Sequence, residues 1–272
     1  MHRISFFALA VTFTLAALAQ AEGTCKVRGS VSSTEYEKLE GKLERSIVWV
    51  LADPDRTRLA DTASTENKFE FDLKPGNYIL QCTGNGSRGA TFTPTYKKFT
   101  VTEGAETLDL GTIDMPASET TKLFGQPAPE LAGIVEWKNT DPRSLKELRG
   151  NVVILDFWSY SCSICIHHMP DLAKLVEKHK GEKLVALTLH DNSAASLAEV
   201  DGILTVASKK KLGSLPVALD GQGADSVFRA YGIRATPAMI LIDAEGNVVR
   251  RFHHAGDPQL DKEVTALLRA GR

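Results

Sequence analysis

The stretch that decides the fold is VVILDFWSYSCSIC, residues 152–165. Its first half is an apolar run interrupted only by Asp156, which predicts a buried strand. Its second half ends on a pair of cysteines, and apolar side chains then recur at helical spacing, at Met169, Leu172, Ala173 and Val176. This i, i+3, i+4, i+7 pattern predicts an amphipathic helix. The cysteines are therefore expected where a buried strand gives way to the start of a helix.

A cysteine in that position has a favoured chemistry. The first turn of a helix presents unpaired N–H groups and the positive end of the dipole, which stabilise a thiolate. We expect Cys162 to be this cysteine, with Ser161 as the helix N-cap. A thiolate attacks disulfides, and Cys165 lies one turn further on, close enough to resolve the mixed disulfide. A purely structural disulfide is disfavoured because a two-residue loop constrains the unfolded chain little.

A metal site is the competing interpretation of the same residues. Zinc sites normally combine two cysteine pairs or added histidines, and the other two cysteines of the chain have no such spacing. His167 and His168 follow the pair, but adjacent helical positions point about 100° apart. We predict redox chemistry with no metal and no cofactor. The alternative is a copper or zinc binding protein that uses Cys162, Cys165 and His168.

Further motifs follow in order from about residue 126 to the C-terminus. They are APEL (128–131), SLKELRG (144–150), LPVALD (215–220), YGIRATP (231–237) and LIDAEGNVV (241–249). Together with residues 152–165 they resemble the TlpA/ResA-type thioredoxin-like proteins. The resemblance implies an α/β thioredoxin-like fold, a central mixed sheet with flanking helices. It also implies a thiol–disulfide oxidoreductase whose partners are protein thiols or disulfides.

The resemblance assigns roles to the residues of the reaction. Cys162 matches the attacking thiol of the family, and Cys165 matches the buried resolving thiol. Asp156 matches the buried acid of thioredoxin, which accepts a proton from the resolving cysteine. A desolvated carboxylate has a raised pKa, which suits proton transfer near neutral pH.

Three further positions are implied to belong to the site, with Pro237 counted among the catalytic residues and Thr236 and Trp158 as substrate-binding residues. Pro237 matches the cis-proline that lies opposite the cysteine pair, and Thr236 lies beside the substrate backbone. Trp158 matches an aromatic residue near the rim of the active site, although a tryptophan of the buried core is nearly as good an interpretation.

The same region also departs from most TlpA/ResA-type relatives. Ser163-Ile164 replaces the usual proline-containing dipeptide, and His168 replaces a glutamate. The run FWSYSC (157–162) is similar instead to the DipZ-like and NHL-repeat-associated thioredoxins. The departures leave the redox potential and the direction of electron flow open. The family resemblance favours a reductant supplied by a membrane electron donor.

The first half of the chain has a different pattern. Residues 68–73 alternate charged and apolar side chains, which predicts a half-buried strand, and Pro75-Gly76 predicts a turn. Several such short runs predict an antiparallel β-sandwich. The run FEFDLKPGNYIL (69–80) resembles carboxypeptidase-regulatory-like (transthyretin-like) domains. We predict this all-β domain over residues 22–117, a linker over 118–127 and the thioredoxin-like domain over 128–272.

The N-terminus and the overall charge indicate the compartment and exclude one class of partner. Residues 1–21 combine a basic start, an apolar stretch and small residues, which predicts a cleaved signal peptide. We therefore expect a periplasmic or secreted protein. Its 32 basic and 34 acidic residues give no electrostatic reason to bind nucleic acid.

Export favours oxidation, so a structural Cys25–Cys82 disulfide is predicted. His190, like His253 and His254, follows a predicted strand and is expected at the surface without a role.

Overall fold

The computed structural model describes residues 23–200, 202 and 215–271. The predicted signal peptide, residues 1–21, lies outside the described residues. Within the part of the chain that is described, no helix has the length and apolar character needed to cross a membrane.

Residues 25–114 form two β-sheets. The elements are β1 (Cys25–Ser32), α1 (Thr34–Glu37), β2 (Leu43–Ala52), β3 (Arg58–Ser64), β4 (Lys68–Leu73), β5 (Gly76–Gly86), a 3₁₀ turn (Ser87–Gly89), β6 (Thr95–Val101) and β7 (Thr107–Asp114). One sheet has the order β4-β1-β7 and the other β3-β2-β5-β6. Along β4 every second side chain is buried, as the alternating sequence predicts. Side chains of both sheets belong to one buried cluster.

Two details of this β-rich region differ from the predicted antiparallel arrangement. β1 pairs with β7 in parallel. Pro75 and Gly76 connect two strands that do not pair, since β4 pairs with β1 while β5 pairs with β2 and β6. The connection therefore carries the chain from one sheet to the other. The assignment of residues 22–117 to a carboxypeptidase-regulatory-like sandwich stays a prediction.

The predicted Cys25–Cys82 disulfide is wrong, because both cysteines are free and buried. Cys25 lines the same cavity as Val101, which pairs with Gly76 at the start of β5. Cys82 is six positions further along β5, about 20 Å at the usual rise of a strand. A disulfide needs Cα atoms within about 7 Å of each other. Burial also raises the pKa of the Cys82 thiol to about 12, which makes it unreactive.

This separation gives a simple prediction. A Cys162→Ser/Cys165→Ser double variant, unfolded in denaturant without reductant, should show two thiols that react with a colorimetric disulfide reagent. The same variant should show almost none while folded, since both remaining thiols are buried. A count of zero reactive thiols in the unfolded protein would show that Cys25 and Cys82 are joined in a disulfide.

The segment predicted to be a linker is packed against its neighbours on both sides. Residues 118–127 contain the short helix α2 (Glu119–Lys122), which Ser118 caps through its side chain. The hydroxyl of Thr120 donates a buried 2.7 Å hydrogen bond to the carbonyl of Tyr231. Phe124 is buried and forms a β-bridge with Val248. The segment therefore joins the β-rich region to the rest of the chain by side-chain packing as well as by covalent connection.

In the described part of the chain after residue 133, six strands form a single mixed sheet. The elements are β8 (Ile134–Lys138), β9 (Val152–Trp158), α3 (Ser163–Lys178), β10 (Leu184–His190), β11 (Val217–Asp220), α4 (Val227–Ala230), β12 (Ala238–Ile242), β13 (Val248–Phe252) and α5 (Pro258–Ala270). The strand order is β13-β12-β9-β10-β11-β8. β9, β10 and β11 are parallel, and the other pairings are antiparallel. This is the central mixed sheet expected of a thioredoxin-like fold.

The central strand β9 has a different cluster on each face. Val152, Ile154 and Trp158 pack with α3 and α5 in one buried cluster. Val153, Leu155 and Phe157 belong to the second cluster, which extends through Phe124 to the β-rich region. Because side chains alternate along a strand, the sequence VVILDFW supplies both faces, and this explains its nearly continuous apolar character. The chain leaves β9 at Trp158 and enters α3 at Ser163, after four intervening residues.

Candidate active site

The two cysteines of residues 162–165 are joined in a disulfide at the start of α3, with Cα atoms 5.2 Å apart. Cys162 is itself the N-cap, in place of the predicted Ser161, and its Sγ accepts a 3.2 Å hydrogen bond from the Cys165 N–H. Cys162 is partly exposed and Cys165 is buried. The outer sulfur therefore lies where the free N–H groups of the helix point, and this favours its thiolate after reduction.

Asp156 lies on the β9 face that packs against α3. Asp156 lies between Ile154 and Trp158 on the same face of the strand, because every second side chain points the same way. Ile154 and Trp158 belong to the same buried cluster as Cys165. The carboxyl group is buried, and desolvation raises its pKa to about 7. A group with that pKa can accept or release a proton near neutral pH. The structure thus places Asp156 on the β9 face that α3 covers, among apolar side chains, and its role as the acid stays a prediction.

The peptide bond between Thr236 and Pro237 is cis, as the family resemblance implies. β12 begins at the next residue, and its first pair in the ladder with β9 is Ala238 with Phe157. The Thr236–Pro237 bond, just before β12, and the chain that leads from β9 to Cys162 therefore lie at the same end of these two adjacent strands. Thr236 is half-buried.

Trp158 does not lie at the rim of the site, because its side chain is fully buried. Its prediction as a substrate-binding residue is wrong, and the core interpretation holds. The physical reason is that Trp158 ends the β9 face covered by α3. Two other apolar side chains near the disulfide are exposed instead. Tyr160 is 41% exposed and Ile164 is 50% exposed, and they give the site an apolar surface.

His190, to which the sequence assigned no role, is the largest departure from prediction in the site. It is the last residue of β10 and pairs with Trp158 in the parallel ladder. Its side chain is fully buried, and its Nε2 accepts a 2.9 Å hydrogen bond from the Tyr160 N–H. The sequence held one signal of its burial, because His190 directly continues the apolar run LVALTL (184–189), but nothing in that run pointed to Tyr160.

The histidines after Cys165 form a different contact from the metal site considered above. His168 shares a 3.1 Å contact between its Nδ1 and an oxygen of Asp171, and its ring stacks on His254 with centroids 3.7 Å apart. Among the described residues, no group of three or more histidine, cysteine or acidic side chains is arranged to hold a metal ion.

A family model described as Redoxin matches residues 124–268. This chain belongs to the redoxin family. The chain is 30% identical over 158 residues to Protein SUPPRESSOR OF QUENCHING 1 of Arabidopsis thaliana, and this match covers 57% of the chain and 15% of that protein. It is 37% identical over 124 residues to Protein DipZ of Mycobacterium tuberculosis, covering 44% of this chain and 17% of DipZ. The chain thus spans less than a fifth of these two relatives.

A third relative is closer in length to the redoxin region. Thiol-disulfide oxidoreductase ResA of Halalkalibacterium halodurans is 30% identical over 129 residues, which cover 46% of this chain and 66% of ResA. Family membership and this relative support the thioredoxin-like fold and an oxidoreductase role for the redoxin region. The similarity to DipZ agrees with the DipZ-like character of residues 157–162.

Proposed function

We propose that this protein is an exported thiol–disulfide oxidoreductase that reduces disulfides of protein substrates through Cys162 and Cys165. One observation carries the proposal. The two cysteines form a disulfide at the N-terminus of α3, with the outer sulfur accessible and the inner one buried. A redox pair needs this asymmetry, because one sulfur must meet the substrate and the other must be protected from it.

The reaction begins with the reduced protein. The Cys162 thiolate attacks one sulfur of the substrate disulfide, the substrate S–S bond breaks, and the other substrate sulfur leaves as a thiolate. Cys165 then gives its proton to Asp156 and attacks the Cys162 sulfur. The mixed disulfide breaks, the second substrate thiolate leaves, and the Cys162–Cys165 disulfide forms. The two substrate thiolates take protons from Asp156 and from solvent, and two electrons have passed to the substrate.

The proposal extends to location, electron supply and domain organisation. The predicted signal peptide over residues 1–21 places the protein in the periplasm or outside the cell. Regeneration of the dithiol needs an electron donor, and the TlpA/ResA resemblance favours a membrane protein in that role. Residues 128–272 form the catalytic domain, Thr236 and Pro237 contact the substrate backbone, and residues 22–117 form a non-catalytic sandwich.

The test of the activity is catalysed reduction of insulin disulfides by the full mature chain with a chemical reductant, compared with the reductant alone. Equilibration with glutathione buffers then gives the reduction potential. A potential near the reducing end of the range known for this fold, about −270 mV, supports a reductant, and one near about −120 mV would reverse the proposed direction. Absence of insulin reduction would contradict the proposed function itself.

The exposed apolar surface beside the disulfide predicts a preference for protein substrates. Ile164→Ser should lower kcat/KM for a protein disulfide about fivefold, because roughly 1 kcal/mol of apolar contact is lost. The rate with a small, soluble disulfide should change much less. Leu59→Ser is the matched control, since Leu59 is 52% exposed but lies on β3 in the β-rich region. Equal effects of the two variants on protein reduction would argue against this role of Ile164.

A further inference from the structure

His190 is enclosed by the two aromatic side chains that precede the redox pair. The edge of its imidazole contacts Trp158 with ring centroids 4.6 Å apart and an interplanar angle of 90°. On the other side, the Tyr160 ring is parallel to it within 4°, with centroids 5.7 Å apart. The side chain has no exposed surface. The His190 ring at the end of β10 is therefore held in place against the turn between β9 and α3.

The hydrogen bonds of His190 define its tautomer. Nδ1 lies 2.6 Å from the carbonyl oxygen of Asp191, and a carbonyl can only accept, so Nδ1 carries the proton. Nε2 lies 2.9 Å from the Tyr160 amide nitrogen, which can only donate, so Nε2 carries none. Both contacts are satisfied only by the neutral imidazole with its proton on Nδ1.

These bonds attach the turn before Cys162 to the end of β10. The Asp191 N–H donates to the Trp158 carbonyl at 3.0 Å, and His190 holds the Tyr160 N–H two residues later. The turn then closes with a 3.0 Å bond from the Cys162 N–H to the Ser159 carbonyl. Among the described residues, the Tyr160 N–H has no other hydrogen-bond partner. One of the three hydrogen bonds that set the direction in which the chain enters α3 is thus accepted by an imidazole nitrogen.

We propose that neutral His190 is a positioning residue for thiol–disulfide exchange: by accepting the Tyr160 N–H it fixes the turn that presents Cys162 at the start of α3. The inference rests on the proposed function for its biological meaning. Its geometry is independent of the substrate. Its two described hydrogen bonds go to backbone atoms of Tyr160 and Asp191, so His190 acts through the backbone of the turn.

The surroundings of His190 decide how the turn responds to acid. The carboxylate of Asp191 lies 3.5 Å from Nδ1 and favours the charged imidazolium, whereas burial opposes it more strongly, so the pKa of His190 is lowered. The ionisable side chain that faces it from the turn is Tyr160. The neighbouring strands carry Asp156 on β9 and Asp220 on β11, and Cys162 and Cys165 follow the turn that His190 contacts. Protonation in acid would place an N–H on Nε2 against the Tyr160 N–H and release the turn.

Two substitutions distinguish the contributions of the hydrogen bonds made by the two ring nitrogens. His190→Gln places an amide oxygen near the position of Nε2, so it keeps an acceptor for the Tyr160 N–H. His190→Asn places its amide near the position of Nδ1, so it keeps a donor to the Asp191 carbonyl and loses the acceptor. Neither side chain titrates in this range. The two variants are therefore matched in polarity and differ in the bond that the proposal invokes.

The measurement is the rate at which reduced Cys162 attacks a small aromatic disulfide, divided by the thiolate fraction obtained from ultraviolet absorbance. His190→Asn should lower this corrected rate about fivefold, as expected for one lost hydrogen bond, and His190→Gln should restore most of it. Equal rates in wild type and both variants would overturn the proposal, as would equal losses in both variants. Because no protein substrate is involved, failure of insulin reduction would count against the proposed function alone.

A measurement on the wild-type chain does not depend on the folding of any variant. The corrected rate of attack should fall in acid, below the ordinary pKa of histidine, as His190 becomes protonated. In the oxidised protein, where the disulfide removes both thiols, the tryptophan fluorescence, which sums Trp49, Trp137 and Trp158, should change over the same pH range because the Trp158 ring contacts His190. A corrected rate independent of pH, or a fluorescence change at a different pH, would contradict the proposal. His190→Gln, if folded, should lose both responses.

Discussion

Replacing Cys162 with serine is expected to abolish protein disulfide reduction, with a loss of at least about a thousandfold in turnover. The serine hydroxyl is not ionised near neutral pH and cannot form the mixed disulfide. Cys165 does not substitute for it, because its side chain is buried. The insulin reduction assay measures the loss.

Cys165→Ser is expected to fail at a different step. Its Cys162 thiolate still attacks a substrate disulfide, but nothing releases the product, so the mixed disulfide accumulates and appears by mass spectrometry without reductant. Cys82→Ser is the control, since Cys82 is buried in the β-rich region and should leave turnover unchanged. Normal turnover in Cys162→Ser, or no trapped adduct in Cys165→Ser, would contradict the assignment of the two sulfurs.

Asp156→Asn is expected to stabilise the oxidised protein above neutral pH while it slows catalysis. Burial raises the pKa of Asp156 from 3.8 to about 7. Between these values the folded state keeps a proton that the unfolded chain releases, so the free energy of unfolding falls as pH rises from about 4 to about 7. Above that range the wild type has lost up to about 4 kcal/mol, and asparagine, which does not ionise, avoids the loss.

Urea denaturation of the oxidised proteins measures this difference. The variant should exceed the wild type at about pH 8 and match it more closely at about pH 4. Asp220→Asn is the control, because Asp220 is also buried but accepts bonds of 2.6, 2.8 and 3.1 Å at the start of α4. That variant should be less stable, since buried donors lose an acceptor. A pH-independent difference for Asp156→Asn would show that its carboxyl is not desolvated.

The same substitution tests the role of Asp156 in proton transfer. Without the carboxylate, deprotonation of Cys165 loses its buried acceptor, and resolution of the mixed disulfide should slow by about a hundredfold. The first attack by Cys162 should change little. Stopped-flow kinetics with a labelled disulfide separates the two steps. Equal slowing of both would indicate a general disturbance of the site.

The amino-acid sequence alone determined the features that depend on short stretches of chain. The apolar run before the cysteines and the helical spacing after them predicted β9 and α3, and the alternation in residues 68–73 predicted β4. Local periodicity determines such elements because each side chain's direction follows from its position along a strand or helix. The placement of Cys162 at a helix N-terminus follows for the same reason, although the cap itself moved by one residue.

Only the tertiary structure decided which of these residues meet and which are covered. Trp158 and His190 are buried because β9 and β10 pair in parallel and end side by side, covered by α3 and by the turn that leads into α3. Cys25 and Cys82 are apart because Cys25 begins β1 in one sheet, near the start of β5, whereas Cys82 lies six positions further along β5 in the other sheet. Burial and pairing arise from contacts between segments distant in sequence, and a strand's pattern shows that one face is covered without showing what covers it. The Tyr160 bond to His190 joins residues thirty positions apart, and no local pattern encodes it.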